Sequence, residues 1–168
     1  MLSARRVFHP RRHAWLPVAI AAGTALLPII WYLASPLVLT RAVSEGAPAQ
    51  TVEARLAAGH FGVVDGIHTG EGTASILRLP DGRRVLRLED DFRVTNGPDL
   101  YVYLSGDPAP RSSDQLPASG AFEVGPLKGN VGGQNYELPA DLDLSGFRSV
   151  VVYCRRFTTV FSTAELDA

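Results

Sequence analysis

The chain has 168 residues, a formal net charge of -1 and a single cysteine. That length supports one domain with a real core and leaves little room for a second, and one cysteine excludes an intrachain disulfide. The charge is unevenly spread: Arg5, Arg6, Arg11 and Arg12 lead the chain with no acid beside them, and from Arg41 onward the other 12 of the 16 basic side chains face all 17 acids, a balance of about -5 that argues against a nucleic-acid footprint.

Residues 1–13 read as a basic cytoplasmic tail. From Ala14 to Thr40 there is no charged side chain, and Ala, Leu, Ile, Val and Trp dominate. A bilayer core needs roughly 20 apolar residues, so this run predicts one N-terminal transmembrane helix, a signal anchor. The arginines precede it, which puts the N-terminus in the cytoplasm and the rest of the chain outside. A cleaved signal peptide ending at Ala47-Pro48-Ala49 and a buried core helix are the alternatives. Residues 41–50 read as a linker, because from Ser44 to Gln50 the composition turns to Ser, Glu, Gly, Ala and Pro, too polar to bury much. The extracytoplasmic domain is expected over residues 51–168.

In that domain the pattern is alternation broken by turn residues. Thr73 to Leu79 and Arg83 to Glu89 flank Pro80-Asp81-Gly82, a β-hairpin whose proline presets the turn and whose glycine closes it. Arg78, Arg84 and Arg87 are expected to face water. Leu100 to Ser105 is a strand apolar on both faces, Gly106 to Gly120 a long surface loop, and Ala121 to Val124 and Tyr136 to Leu138 short strands. Ser149 to Cys154 and Thr159 to Ser162 complete the set. Many short strands with hardly any helical period predict an all-β fold, an antiparallel β-sandwich or partly open barrel.

His68-Thr69-Gly70-Glu71-Gly72-Thr73-Ala74, Val85 to Phe92, Asn96-Gly97-Pro98-Asp99-Leu100, Leu127-Lys128-Gly129, Tyr136-Glu137-Leu138-Pro139 and Val152-Tyr153-Cys154 together resemble the electron-transfer DM domain family, DM thirteen. The resemblance covers residues from Ala58 to Leu166. It implies a compact β-sandwich outside the cytoplasm, sometimes found beside DOMON domains that bind haem or sugar. It also implies a redox role for a strand cysteine, which matches Cys154. There is no C-x-x-C-H haem attachment and no ferredoxin-type cysteine cluster.

A thiol is redox-active when it is partly exposed and nearby positive charge stabilises its thiolate. Strand alternation continued past Cys154 would place Arg156 on the thiol's face, yet the same alternation groups Cys154 with Val150 and Val152 as core. His68, in a Gly-rich turn, is a candidate to pair with the thiol or, together with Cys154 and His60, to ligate a metal such as copper. The cofactor is open. Asp99 reads either as a turn cap or as a carboxylate that orients His68 or a ligand. Tyr101, Tyr103, Tyr136 and Tyr153 read as packing, as electron relays or as platforms for a sugar. Glu89-Asp90-Asp91 lacks the spacing of a Ca²⁺ loop. No Gly-x-Ser-x-Gly, Walker loop or His-Glu-x-x-His occurs, so turnover chemistry is the less favoured class. Two functions remain: a membrane-anchored extracytoplasmic redox domain centred on Cys154, and a non-catalytic cell-envelope binding or assembly module. Either implies a membrane and an envelope protein as partners.

Overall fold

The computed structural model describes residues 39–48 and 52–167, with scattered helical positions between Thr24 and Ser35. The chain divides into two units, Met1–Ser35 and Pro36–Ala168. Most of the expected anchor lies outside the described residues, and among these no helix is long and apolar enough to cross a membrane.

The second unit is all-β with antiparallel sheets. Its strands are β1 (Ala54–His60), β2 (Gly70–Glu71), β3 (Thr73–Arg78), β4 (Arg84–Leu88), β5 (Arg93–Val94), β6 (Leu100–Ser105), β7 (Phe122–Pro126), β8 (Gln134–Leu138), β9 (Ser149–Cys154) and β10 (Thr159–Glu165). One sheet runs in the order β1-β3-β4-β8 and the second β10-β9-β6-β7, while β2 and β5 form a small ribbon. Alternate residues of both sheets turn inward, as a period of two requires. Ile76, Leu86, Leu88, Val102, Leu104, Val150, Val152 and Cys154 thereby form one buried cluster.

The predicted hairpin is β3 and β4. Leu79 N–H donates to the Arg83 carbonyl at 2.9 Å, and Gly82 takes a φ of 83°, a value glycine adopts without strain. The strands expected at Leu100 to Ser105 and Ser149 to Cys154 keep those bounds. β1 is an addition, because its Ala- and Gly-rich sequence has little strand propensity. Small residues there serve a close approach. The chain at the end of β1 meets the chain along and just beyond β10 through bridges at Ala58–Asp167 and Phe61–Ala164, and a Cβ on Gly59 would run into the Glu165 carbonyl. This contact joins the sheets along one side.

Three expectations change. The loop from Gly106 to Gly120 contains a short helix, α1 (Gln115–Ala118), whose Leu116 is buried against Val151 and Val160 on the outer face of the second sheet. Arg87 does not face water; it is 3% exposed, because carboxylates, a side-chain amide and two carbonyls surround its guanidinium. The stretch from Arg41 to Glu45, polar as it is, is ordered by backbone pairing rather than by burial: Val43 N–H donates to the Val131 carbonyl at 2.8 Å and Glu45 N–H to the Gly133 carbonyl at 2.9 Å.

β10 carries a bulge. Its register slips between Val160 and Ser162, so Phe161 turns into the core out of phase with the strand. The preceding turn, residues 155–158, holds Thr158 at a φ of 49°, left-handed backbone that a β-branched residue rarely adopts. Replacing Thr158 with Asn, which tolerates that conformation, is expected to raise stability by about 0.5–1 kcal/mol. Denaturant unfolding should show a higher midpoint at unchanged slope, and no gain would mean that the turn stores no strain.

Candidate functional site

Cys154 ends β9. It lies opposite Leu100 on β6 and Thr159 on β10, and it is free, with 0% of its surface exposed. Its parity with Val150 and Val152 places it among apolar side chains.

The strand ends at Cys154, so the alternation that would carry Arg156 to the thiol's face stops there. Arg156 lies in the exposed turn instead. Arg155 is the cation with a defined place. Its guanidinium carbon sits 3.6 Å from the centre of the Tyr101 ring, its Nε donates to the Tyr103 hydroxyl at 3.1 Å, and it pairs with Glu123. The Tyr103 hydroxyl in turn donates to Glu123 Oε2 at 3.1 Å. Tyr103 and Tyr153 meet edge to face with ring centres 5.9 Å apart. These side chains occupy the outer face of the β6–β9 pair, opposite Cys154. Arginine already covers one face of Tyr101, so that face is not open for stacking a sugar.

His68 is organised by its own loop. Asp65 accepts the N–H groups of Ile67 and His68, each at 2.8 Å, and its second oxygen lies 2.6 Å from His68 Nδ1. The hydrogen bond to His68, helped by both backbone N–H groups, pulls the Asp65 carboxyl down to about 2. The His68 ring packs on Phe161, 4.5 Å between centres, and Phe161 belongs to the cluster that holds Cys154. The carboxylate beside His68 is therefore Asp65 rather than Asp99. Asp99 contributes its backbone, whose carbonyl accepts the Arg155 N–H at 3.0 Å and ties the turn after Cys154 to the start of β6.

Metal ligation gathers no group: among the described residues no three of His, Cys, Asp and Glu assemble as ligands. His60 Nδ1 lies 3.3 Å from the Thr73 hydroxyl. The acidic run is spent locally. Glu89 and Asp90 each bind Arg87 at 2.6 Å, and Asp91 accepts from Thr73. A cleft of about 600 Å³ lies beside the small ribbon, lined by Thr69, Arg93, Asn96 and Asn130 among others. Its amides already bond one another, Asn130 Nδ2 to Asn96 Oδ1 at 2.5 Å.

A second polar group escapes sequence reasoning. Lys128 Nζ reaches Glu45 at 2.8 Å and the Asn135 carbonyl at 2.7 Å, above the Tyr136 ring. Gln134, fully buried, accepts from the N–H groups of Lys128 and Gly129 and donates to the Gly129 carbonyl at 2.7 Å. The Tyr136 hydroxyl donates to Gln134 Oε1 at 3.0 Å, and burial pushes its phenol up to about 12. The sequence signal for Arg87 was present in two acids at short spacing, Glu89 and Asp90. For Glu45 and Lys128, 83 positions apart, there was none.

The family model described as "Electron transfer DM13" matches residues 61–166, more than half of the chain. The chain belongs to this family. No curated protein and no solved structure matches it.

The Lys128 ammonium holds the Glu45 carboxyl below its ordinary value of 4.5. A carboxyl lowered in the folded state stabilises the docked segment fully above that ordinary value, and the contribution is lost as pH falls through the depressed one. Hydrogen exchange at Asn135 N–H, which donates to Glu45 at 2.7 Å, should therefore gain protection with rising pH across the acid range. Glu45→Gln should abolish that pH dependence; the same profile in both proteins would exclude Glu45 as its source.

Proposed function

We propose that this electron transfer DM13 domain is a membrane-anchored redox module outside the cytoplasm, with Cys154 as its redox-active group. The family match over residues 61–166 carries the reading, because it spans the sandwich from the end of β1 to β10 and includes the cysteine strand. Sulfur chemistry has one candidate: Cys154 is the only cysteine, and the only methionine is Met1. Residues 14–40 serve as the anchor, and the arginines before them keep the N-terminus in the cytoplasm. The partner is then a redox protein of the envelope.

Burial narrows the chemistry. A sulfur with no exposed surface is closed to in-line attack by a partner's thiolate or disulfide while the sandwich is intact. A redox role therefore works by electron passage through the surrounding strands, or by opening of the turn at residues 155–158. Under this reading His68 acts through Phe161, Asp99 fixes the turn and Arg156 faces solvent above it. A second reading is favoured by the same burial. A cysteine within an apolar core cluster packs as a small hydrophobe, and the domain then serves binding or assembly in the envelope.

The test is a redox titration of the detergent-solubilised full chain beside Cys154→Ala. Alanine is chosen because a serine hydroxyl left unpaired there would cost about 1–3 kcal/mol. The redox reading expects electron uptake or release that the variant loses while keeping its β circular dichroism. Equal titrations of the two folded proteins would leave the binding module. Protease accessibility of residues beyond Arg41 in intact cells checks the location: digestion from outside is expected, and full protection would overturn it.

A further inference from the structure

If electrons pass to or from a sulfur that no partner touches, they must cross the domain surface somewhere. The residue before Cys154 in β9 is Tyr153, whose side chain lies on the opposite face of the second sheet and packs against the outer cluster. Its ring meets Tyr103, 5.9 Å away between centres. Tyr103 differs from the other described tyrosines in one chemical respect: its hydroxyl proton points at a carboxylate, Glu123 Oε2, at 3.1 Å. Tyr136 has only neutral acceptors for its proton, the Pro126 carbonyl and the Gln134 amide.

That difference governs one-electron chemistry. A phenol that loses an electron becomes strongly acidic, so its oxidation is easy only where a base within hydrogen-bond reach takes the proton in the same event. Arg155 fixes the pair. It donates to the Tyr103 oxygen at 3.1 Å, binds Glu123 and is itself seated on the Tyr101 ring, so the phenol and the carboxylate hold one geometry. Glu123 and Arg155 side chains are 40% and 39% exposed, which leaves the pair within reach of a surface partner. Leu116 of α1, Val151 and Val160 cover the other side of the cluster with apolar contacts.

The geometry points to Tyr103 as a proton-coupled one-electron redox site, with Glu123 as proton acceptor and Arg155 as the residue that positions both. In the step the Tyr103 O–H bond breaks. The proton passes to Glu123 Oε2, the electron passes to a one-electron, outer-sphere oxidant of high potential, and a neutral phenoxyl radical remains. Return of one electron from a reductant and of the proton from Glu123 restores the phenol. Its place in electron transfer rests on the redox reading above, whereas the step itself does not need Cys154.

Flash photolysis with a photo-oxidised ruthenium tris-bipyridine complex tests it on the full chain in detergent at neutral pH. Electron paramagnetic resonance and the optical band of the tyrosyl radical are the readouts. The native protein is expected to give the radical, Tyr136→Phe to give it unchanged, and Tyr103→Phe to lose it. Glu123→Gln keeps the ring but removes the base, and should slow radical formation by roughly a hundredfold. A native yield in Tyr103→Phe, or a native rate in Glu123→Gln, would overturn the assignment. Both variants are nearly isosteric, and circular dichroism confirms their fold before the flash. Cys154→Ala separates this site from the reading it extends. The Tyr103 radical should persist in that variant even if its redox titration proves Cys154 inert, and loss of the radical there would overturn the independence of the step.

Discussion

At the end of β9 two neighbouring residues look in opposite directions. Cys154 turns inward into the apolar cluster, and Tyr153 turns outward toward Tyr103, on the face where the arginine that follows the strand sits on Tyr101. Strand alternation alone produces this split, because successive side chains of a pleated strand cannot share a face. It separates the apolar interior, where the thiol is sealed from solvent, from a charged outer face where a phenol, a carboxylate and a guanidinium are hydrogen-bonded together. The chemistry available to this domain follows from which side of one sheet each group occupies.

The interior itself depends on two closures. β1 and β10 join along one side through small residues, and the segment from Leu127 to Gln134 is folded around the buried amide of Gln134 on the other. Buried polar groups are tolerated there because nearly every one is bonded; the Ser75 hydroxyl is the exception among the described residues. Arg87 shows the same logic on the outer face of the first sheet. Its guanidinium bonds Glu89, Asp90 and Asn135, and it takes in the carbonyls of Glu45 and Gly46, so the segment that leads into the domain is stitched to β4 and β8. Several of the residues that carry the family likeness, Lys128, Tyr136 and the acidic run after Leu88, thus hold loops in place.

The strands apolar on both faces were legible in the sequence, β6 and β9 to the residue, and so was the hairpin turn at Pro80-Asp81-Gly82. Elements whose strand character comes from a neighbour were not. β1 is a strand because β3 and β10 offer it backbone partners, and its alanines carry no signal of that. Helix α1 is four residues long and is held by Leu116 packing on Val151 and Val160. At the site, the parity of Cys154 with Val150 and Val152 was readable. The fate of the charges after it was not, because a strand's end, unlike its period, is set by the turn that leaves it.

The sequence by itself determined the period of the strands, the single sulfur of the domain and the uncharged run before it, since each is a property of local order or of composition. Tertiary structure alone decided which carboxylate meets which base. Glu45 crosses to Lys128, and Arg155 leaves the strand to sit on Tyr101 beside Tyr103 and Glu123. Charged side chains are long and pair over a few ångströms in space. Only the folded path of the chain brings positions so far apart in sequence within that reach.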